Sequence, residues 1–130
     1  MAKIFGTNSM NDTSHHDAKI AAMTFSSVYP HYVAKIERKG QSKEDLHTVI
    51  KWLTGFDEAE LQKHIDGTAT FEEFFAEARL NPNASLITGT ICGYKIQDIE
   101  NPLTRKVRYL DKIVDELGAG KKMEKIMRQA

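Results

Sequence analysis

Cysteine, proline and tryptophan are scarce in this chain, with one Cys, three Pro and one Trp among 130 residues. A lone thiol, Cys92, has no intramolecular partner, so a disulfide framework is excluded and nothing asks for an oxidising compartment. No run approaches the roughly 20 apolar residues of a membrane-spanning helix. No basic-then-apolar segment of the signal-peptide kind opens the sequence either, so the cytoplasm is the expected location. There is also no net charge: 18 Lys and Arg balance 18 Asp and Glu, which disfavours a dedicated nucleic-acid binder.

What is present suits one domain that folds without metal or disulfide support, given a hydrophobic content of 41%. The charge, though balanced, is unevenly spread. Residues 41–81 hold nine acids and four bases, whereas 103–130 hold eight bases and four acids. The two regions are expected to attract one another within the fold or across a homodimer interface. The sharper alternative is a phosphate-binding basic end.

Helix punctuation is dense. Residues 1–22, with a cluster of turn formers from Gly6 to Ser14, are expected to form a flexible arm, followed by a single helical domain over 23–130. Ser26 or Ser27 is the expected cap of a first helix, with Pro30 in its first turn. Ser42 opens a second, in which Leu46, Val49, Ile50 and Leu53 share one face before Gly55. Asp57 with Glu60, and Thr70 with Glu73, have the spacing of capping boxes for a third and a fourth. The fourth carries Phe71, Phe74 and Phe75 at core spacing and is expected to stop at Asn81-Pro82. Asn101-Pro102 starts the longest periodic run, Leu103, Val107, Leu110, Val114 and Leu117, and a last helix is expected over 121–129. The segment 86–96 is ambiguous. Its β-branched residues and two glycines suit a short β element, but a lone hairpin is marginal in water, so a helix is the preferred reading. The fold class expected is all-α, a compact bundle of about six helices.

No catalytic pattern stands out. Cys92 has no base placed beside it by the sequence, and buried packing is the usual fate of a free cysteine. Asp111 and Asp115 are i,i+4 neighbours, a spacing that suits a cation, but Arg108 and Lys112 offer them ordinary ion pairs. The histidines head no zinc-binding pattern, and His15-His16-Asp17 lie in the expected arm with no further ligand at helical spacing. Neither a Walker loop nor a dinucleotide fingerprint is present, so no metal and no cofactor is expected.

Several short motifs nevertheless occur together. They are Ser27-Val28-Tyr29-Pro30, Lys51-Trp52-Leu53-Thr54-Gly55, Phe74-Phe75-Ala76-Glu77-Ala78, Asn81-Pro82-Asn83, Leu86-Ile87-Thr88-Gly89, Ile91-Cys92-Gly93, Arg108-Tyr109-Leu110-Asp111-Lys112 and Asp115-Glu116-Leu117. In combination, over about residues 23–128, the chain resembles a family of small bacterial proteins known as domain of unknown function 2200. The resemblance implies a prokaryotic cytoplasmic protein that stands alone as one domain, and it carries over no activity, cofactor or catalytic residue. The leading expectation is therefore a non-enzymatic interaction or regulatory module, with a homodimer or another protein as partner. The rival is a small enzyme or ligand-binding protein with a pocket near Tyr29, Trp52, Cys92, Tyr94, Arg108, Tyr109 and Asp111. Nucleic-acid binding through the basic C-terminal helix is a weaker third.

Overall fold

In the computed structural model, which describes residues 13–129, the helix signals act at the level of individual hydrogen bonds. Ser42 accepts from the Asp45 amide to open α3 (Lys43–Thr54). Complete capping boxes open α4 (Glu58–Asp66) at Asp57/Glu60 and α5 (Phe71–Glu77) at Thr70/Glu73. Asn101 accepts from Thr104 and Pro102 takes the first position of α6 (Pro102–Gly118), where its missing N–H costs nothing. The fold is helical, as expected, with only a two-stranded hairpin besides.

Three boundaries differ from expectation. The helix α2 (Phe25–Glu37) begins earlier than Ser26 or Ser27 allows, because Thr24 caps it and Phe25 is fully buried. Pro30 thus stands inside α2 rather than in its first turn. Paired bonds from the Phe25 amide to the Ala69 carbonyl and from the Phe71 amide to the Met23 carbonyl fix that start against the α4–α5 junction. The helix α5 stops at Glu77, short of Asn81-Pro82, because the Arg79 and Asn81 amides turn to the Thr54 and Leu53 carbonyls. Those are orphan acceptors at the end of α3, and burying them unpaired would be costly. The last helix, α7 (Met123–Ile126), is a single turn rather than the span 121–129.

Two larger corrections concern residues 14–22 and 86–96. The first stretch, expected in the arm, is a helix, α1 (Ser14–Ala22), the seventh among the described residues; the arm expectation for 1–12 lies outside them. Its alanines favour helix, Asp17 suits the positive end, and Ile20 is buried where α1 packs on α5 and α6. The second stretch, whose preferred reading is a helix, forms the β alternative instead. After a 3-10 turn at Ala84–Leu86 it holds β1 (Thr90–Ile91) and β2 (Tyr94–Lys95), paired Thr90 with Lys95 and Ile91 with Tyr94. Cys92 and Gly93 between them both have positive φ, 53° and 83°, as a two-residue hairpin turn of the right twist requires. The hairpin is not alone: Ile91 and Ile96 are buried, and Lys112 of α6 donates to the Thr90 carbonyl at 3.0 Å. That docking on a helix supplies the stability an isolated hairpin lacks.

The core is built on α6, which packs against α1, α2, α3, α5, α7 and the hairpin. Leu110, Ile113 and Val114 are fully enclosed there. The phenylalanines are core as their spacing suggests: Phe74 stacks on Phe25 at 4.4 Å and meets Phe56 edge-on at 5.1 Å.

A candidate ligand cleft around Arg108

Helical spacing brings the functional candidates together. On α6, Thr104, Val107, Arg108 and Asp111 recur at i, i+3, i+4 and i+7 and so share a face. Facing them, His16, Lys19, Ile20 and the following Met23 repeat the same interval along α1. Asp17 ties the two elements, accepting from the Thr104 hydroxyl at 2.6 Å and the Thr13 hydroxyl at 2.6 Å.

Arg108 stands where two hollows meet. One, of about 560 Å³, lies between the start of α1, the hairpin and α6, and includes His16, Tyr94, Asp98, Thr104 and Arg108. The other, of about 300 Å³, lies under α1, where Ile20, Val28, Phe71 and Val107 surround Tyr32, Arg108 and Asp111. The Arg108 guanidinium lies over the Tyr94 ring, 5.2 Å from its centroid, while His16 stacks on that ring at 5.7 Å. Nη1 of Arg108 donates to Asp111 at 3.0 Å, and the other oxygen of Asp111 accepts from Tyr32 at 2.6 Å. The Tyr32 hydroxyl is held far above the usual phenol range by its burial and by the Asp111 charge, so it remains a donor. Nε of Arg108 is buried without an acceptor among the described residues. An orphaned buried donor costs about 1–3 kcal/mol, so it marks a place where an acceptor belongs.

Of the residues singled out from sequence, Tyr94, Arg108 and Asp111 border these hollows; Tyr29, Trp52, Cys92 and Tyr109 do not. Tyr109 is buried, and Trp52 packs half-buried against the core with its carbonyl accepting from Asn81. Cys92 is exposed at the hairpin turn, not packed inside as its residue type suggests. Tyr29 belongs to a separate chain of contacts. Its hydroxyl meets His47 Nε2 at 2.5 Å, His47 Nδ1 meets Glu58 at 2.9 Å, and Lys51 donates to Glu58 at 2.9 Å. Burial, and then the charges of Glu58 and Glu37, raise the Tyr29 hydroxyl, so this chain joins α2, α3 and α4 and does not activate a phenolate.

Asp111 and Asp115 do not share a cation site, because Asp111 is engaged by Tyr32 and Arg108, and Asp115 pairs with Lys35 at 3.0 Å. Among the described residues no three His, Cys, Asp or Glu side chains are grouped to hold a metal. Nor, among the described residues, does any ion pair join the acidic stretch 41–81 to the basic stretch 103–130. Glu58 pairs with Lys51 and Glu60 with Arg79, while Glu116 takes Lys121 and Arg128. Each stretch is partly neutralised from within.

Sequence reasoning missed Tyr32 and the whole contribution of α1. The available signal was the run Ala18, Lys19, Ala21 and Ala22, strong helix formers, with His16, Ile20 and Met23 close to one stripe.

The arrangement defines a small helical protein with an arginine-centred cleft, and it belongs to a known family. Residues 19–128 match the family described as an uncharacterized protein conserved in bacteria (DUF2200), and the chain is a member of that family. Its fold is similar to the crystal structure of uncharacterized protein SP1917, at 39% identity and a TM-score of 0.78, covering 84% of this chain and 90% of that one. No curated protein matches the chain. Among the described residues, no helix is long and apolar enough to cross a membrane.

Proposed function

We propose that the protein is a non-enzymatic binding module that holds a small anionic molecule at Arg108. The observation that carries this reading is the Arg108 side chain at the junction of two hollows, kept in place by Asp111 and Tyr94, with its buried Nε lacking an acceptor among the described residues. Pockets of this kind place a few polar groups in a concave, largely apolar wall. Two of the three large hydrophobics exposed among the described residues, Met23 and Tyr94, border the hollows, which fits a rim that a ligand covers. A binding role is favoured over catalysis because the raised Tyr29 and Tyr32 hydroxyls are poor bases and Cys92 lies outside both hollows. The exposed Cys92 thiol fits a reducing, cytoplasmic location. Ligand-observed NMR on the full chain with acetate, benzoate, hexanoate, inorganic phosphate and their neutral counterparts tests the proposal. At least one anion should show transfer that Arg108→Gln abolishes; silence from every anion, or binding indifferent to that substitution, would refute it.

The second reading is a homodimer or protein-interaction module. It rests on the acidic and basic stretches, which are not paired with one another and are only partly neutralised from within, leaving charge for a partner. Solution mass at low and high salt separates the two, since a charge-joined dimer dissociates with salt. A monomer under both conditions would remove the dimer.

A further inference from the structure

Resting on the Arg108 reading, we propose that the ligand is a monocarboxylate with a short hydrocarbon body, seated in the hollow under α1 with its carboxylate on Arg108. Three observations select this chemistry. First, the spare hydrogen-bonding capacity is on the donor side. Both oxygens of Asp111 are already engaged, by Tyr32 and by Arg108, whereas Arg108 Nε has no acceptor among the described residues. Each Asp111 oxygen already holds one donor, whereas among the described residues the Arg108 guanidinium is engaged through Nη1 alone, so a carboxylate is the better complement.

Second, the charge at the two hollows is opposite in sense. The one under α1 is bordered by Lys19 and Arg108 against Asp111 alone, a balance of +1 with His16 neutral. The larger one is bordered by Lys95 and Arg108 against Asp17, Asp98 and Glu100, a balance of −1. An anion held by Arg108 is therefore drawn to the α1 side and repelled by the other. Third, away from Arg108, Lys19 and Asp111 the wall under α1 is mainly apolar, formed by Ile20, Met23, Val28, Phe71 and Val107. A phosphate or acetate would leave that wall without a partner. A hydrocarbon body of a few carbons covers it, and each buried methylene is worth about fourfold in affinity. At about 300 Å³ the hollow sits at the lower limit of small-molecule pockets, which favours a ligand smaller than a nucleotide.

The test is a titration of uniformly ¹⁵N-labelled full chain with hexanoate, hexanamide, acetate and inorganic phosphate. Hexanoate should bind at least tenfold more tightly than acetate or hexanamide, and shift the amides of Ile20, Met23, Val28 and Val107 more than those of Tyr94 to Asp98. Met23→Glu, at the exposed rim, should weaken hexanoate at least fivefold with the amide spectrum otherwise kept; this controls for any unfolding caused by Arg108→Gln. If acetate or phosphate binds as tightly as hexanoate, or hexanamide matches it, the hydrocarbon-acid assignment is overturned while the Arg108 site stands. If the shifts centre on Tyr94 to Asp98, the α1 hollow is the wrong one. If none of the anions binds, both this inference and the reading it rests on fall.

Discussion

The Tyr32 hydroxyl donates to Asp111 at 2.6 Å, joining α2 to α6 across 79 positions of sequence. The bond matters because Asp111 is itself the partner of Arg108, with the Arg108 and Asp111 side chains only 12% and 19% exposed. Removing one member of a buried polar group leaves the others short of a partner.

Tyr32→Phe is accordingly expected to destabilise the fold by about 1–3 kcal/mol, the usual cost of an unpaired buried polar group. A double-mutant cycle with Asp111→Asn should show coupling, because the two substitutions remove the same bond. Urea unfolding of the four proteins measures it, and simple additivity would contradict the linkage.

The carboxyl of Glu116 gives a pH dependence of definite sign. Burial alone would raise it, but hydrogen bonds from Arg128 and Lys121 outweigh burial and hold it below its ordinary value of 4.5. A carboxyl depressed in the folded state contributes stability that is fully present above the ordinary value. That contribution is lost as pH falls through the lower, folded value. Melting temperatures between pH 7 and 3 should fall more steeply for the wild type than for Glu116→Gln. Parallel curves would show that this clasp of α6 to the C-terminal residues carries no stability.

Cys92 is the one non-glycine with positive φ among the described residues, at 53°, and it occupies a hairpin position that favours Asn. Cys92→Asn should therefore raise stability by about 0.5–1 kcal/mol, a gain set by relief of left-handed backbone strain. Thermal unfolding reads this directly, and a loss of stability would mean that the thiol makes a contact worth more than the turn preference.

The elements legible in the sequence were those whose signals are local. Asp57 with Glu60, Thr70 with Glu73 and Asn101 with Pro102 mark their helices within four residues, and the structure places helix starts at all three. What escaped was set by distant partners. α1 exists because Ile20 finds α5 and α6 and Asp17 finds Thr104, 87 positions away. The hairpin at 90–95 stands because Lys112 and the body of α6 support it, which no window of eleven residues shows. The candidate site divides the same way. Arg108 and Asp111 are visible as an i,i+3 pair, but Tyr32, His16 and the two hollows arise only when α1, α2 and the hairpin converge on α6.

Because α1 forms one wall of the smaller hollow, loosening it should affect binding before it affects global stability. Ile20→Ala removes its one buried side chain among the described residues. Amide exchange in α1 should accelerate while Leu46 to Leu53 and Leu110 to Leu117 stay protected, and hexanoate affinity should fall at least fivefold. Uniform loss of protection would show instead that α1 unfolds only with the core.

The most direct measurement is the Arg108 Nε–H resonance itself, followed by ¹⁵N NMR as hexanoate is added to the full chain and assigned by its disappearance in Arg108→Lys. This one arginine signal should shift downfield and exchange more slowly with water, while those of Arg105, whose Nε already donates to the Ile99 carbonyl, and Arg128, whose Nη groups are held by Glu116, stay in place. An Arg108 signal that does not move at saturating hexanoate, or a uniform drift of all arginine signals, would contradict an anion site at Arg108.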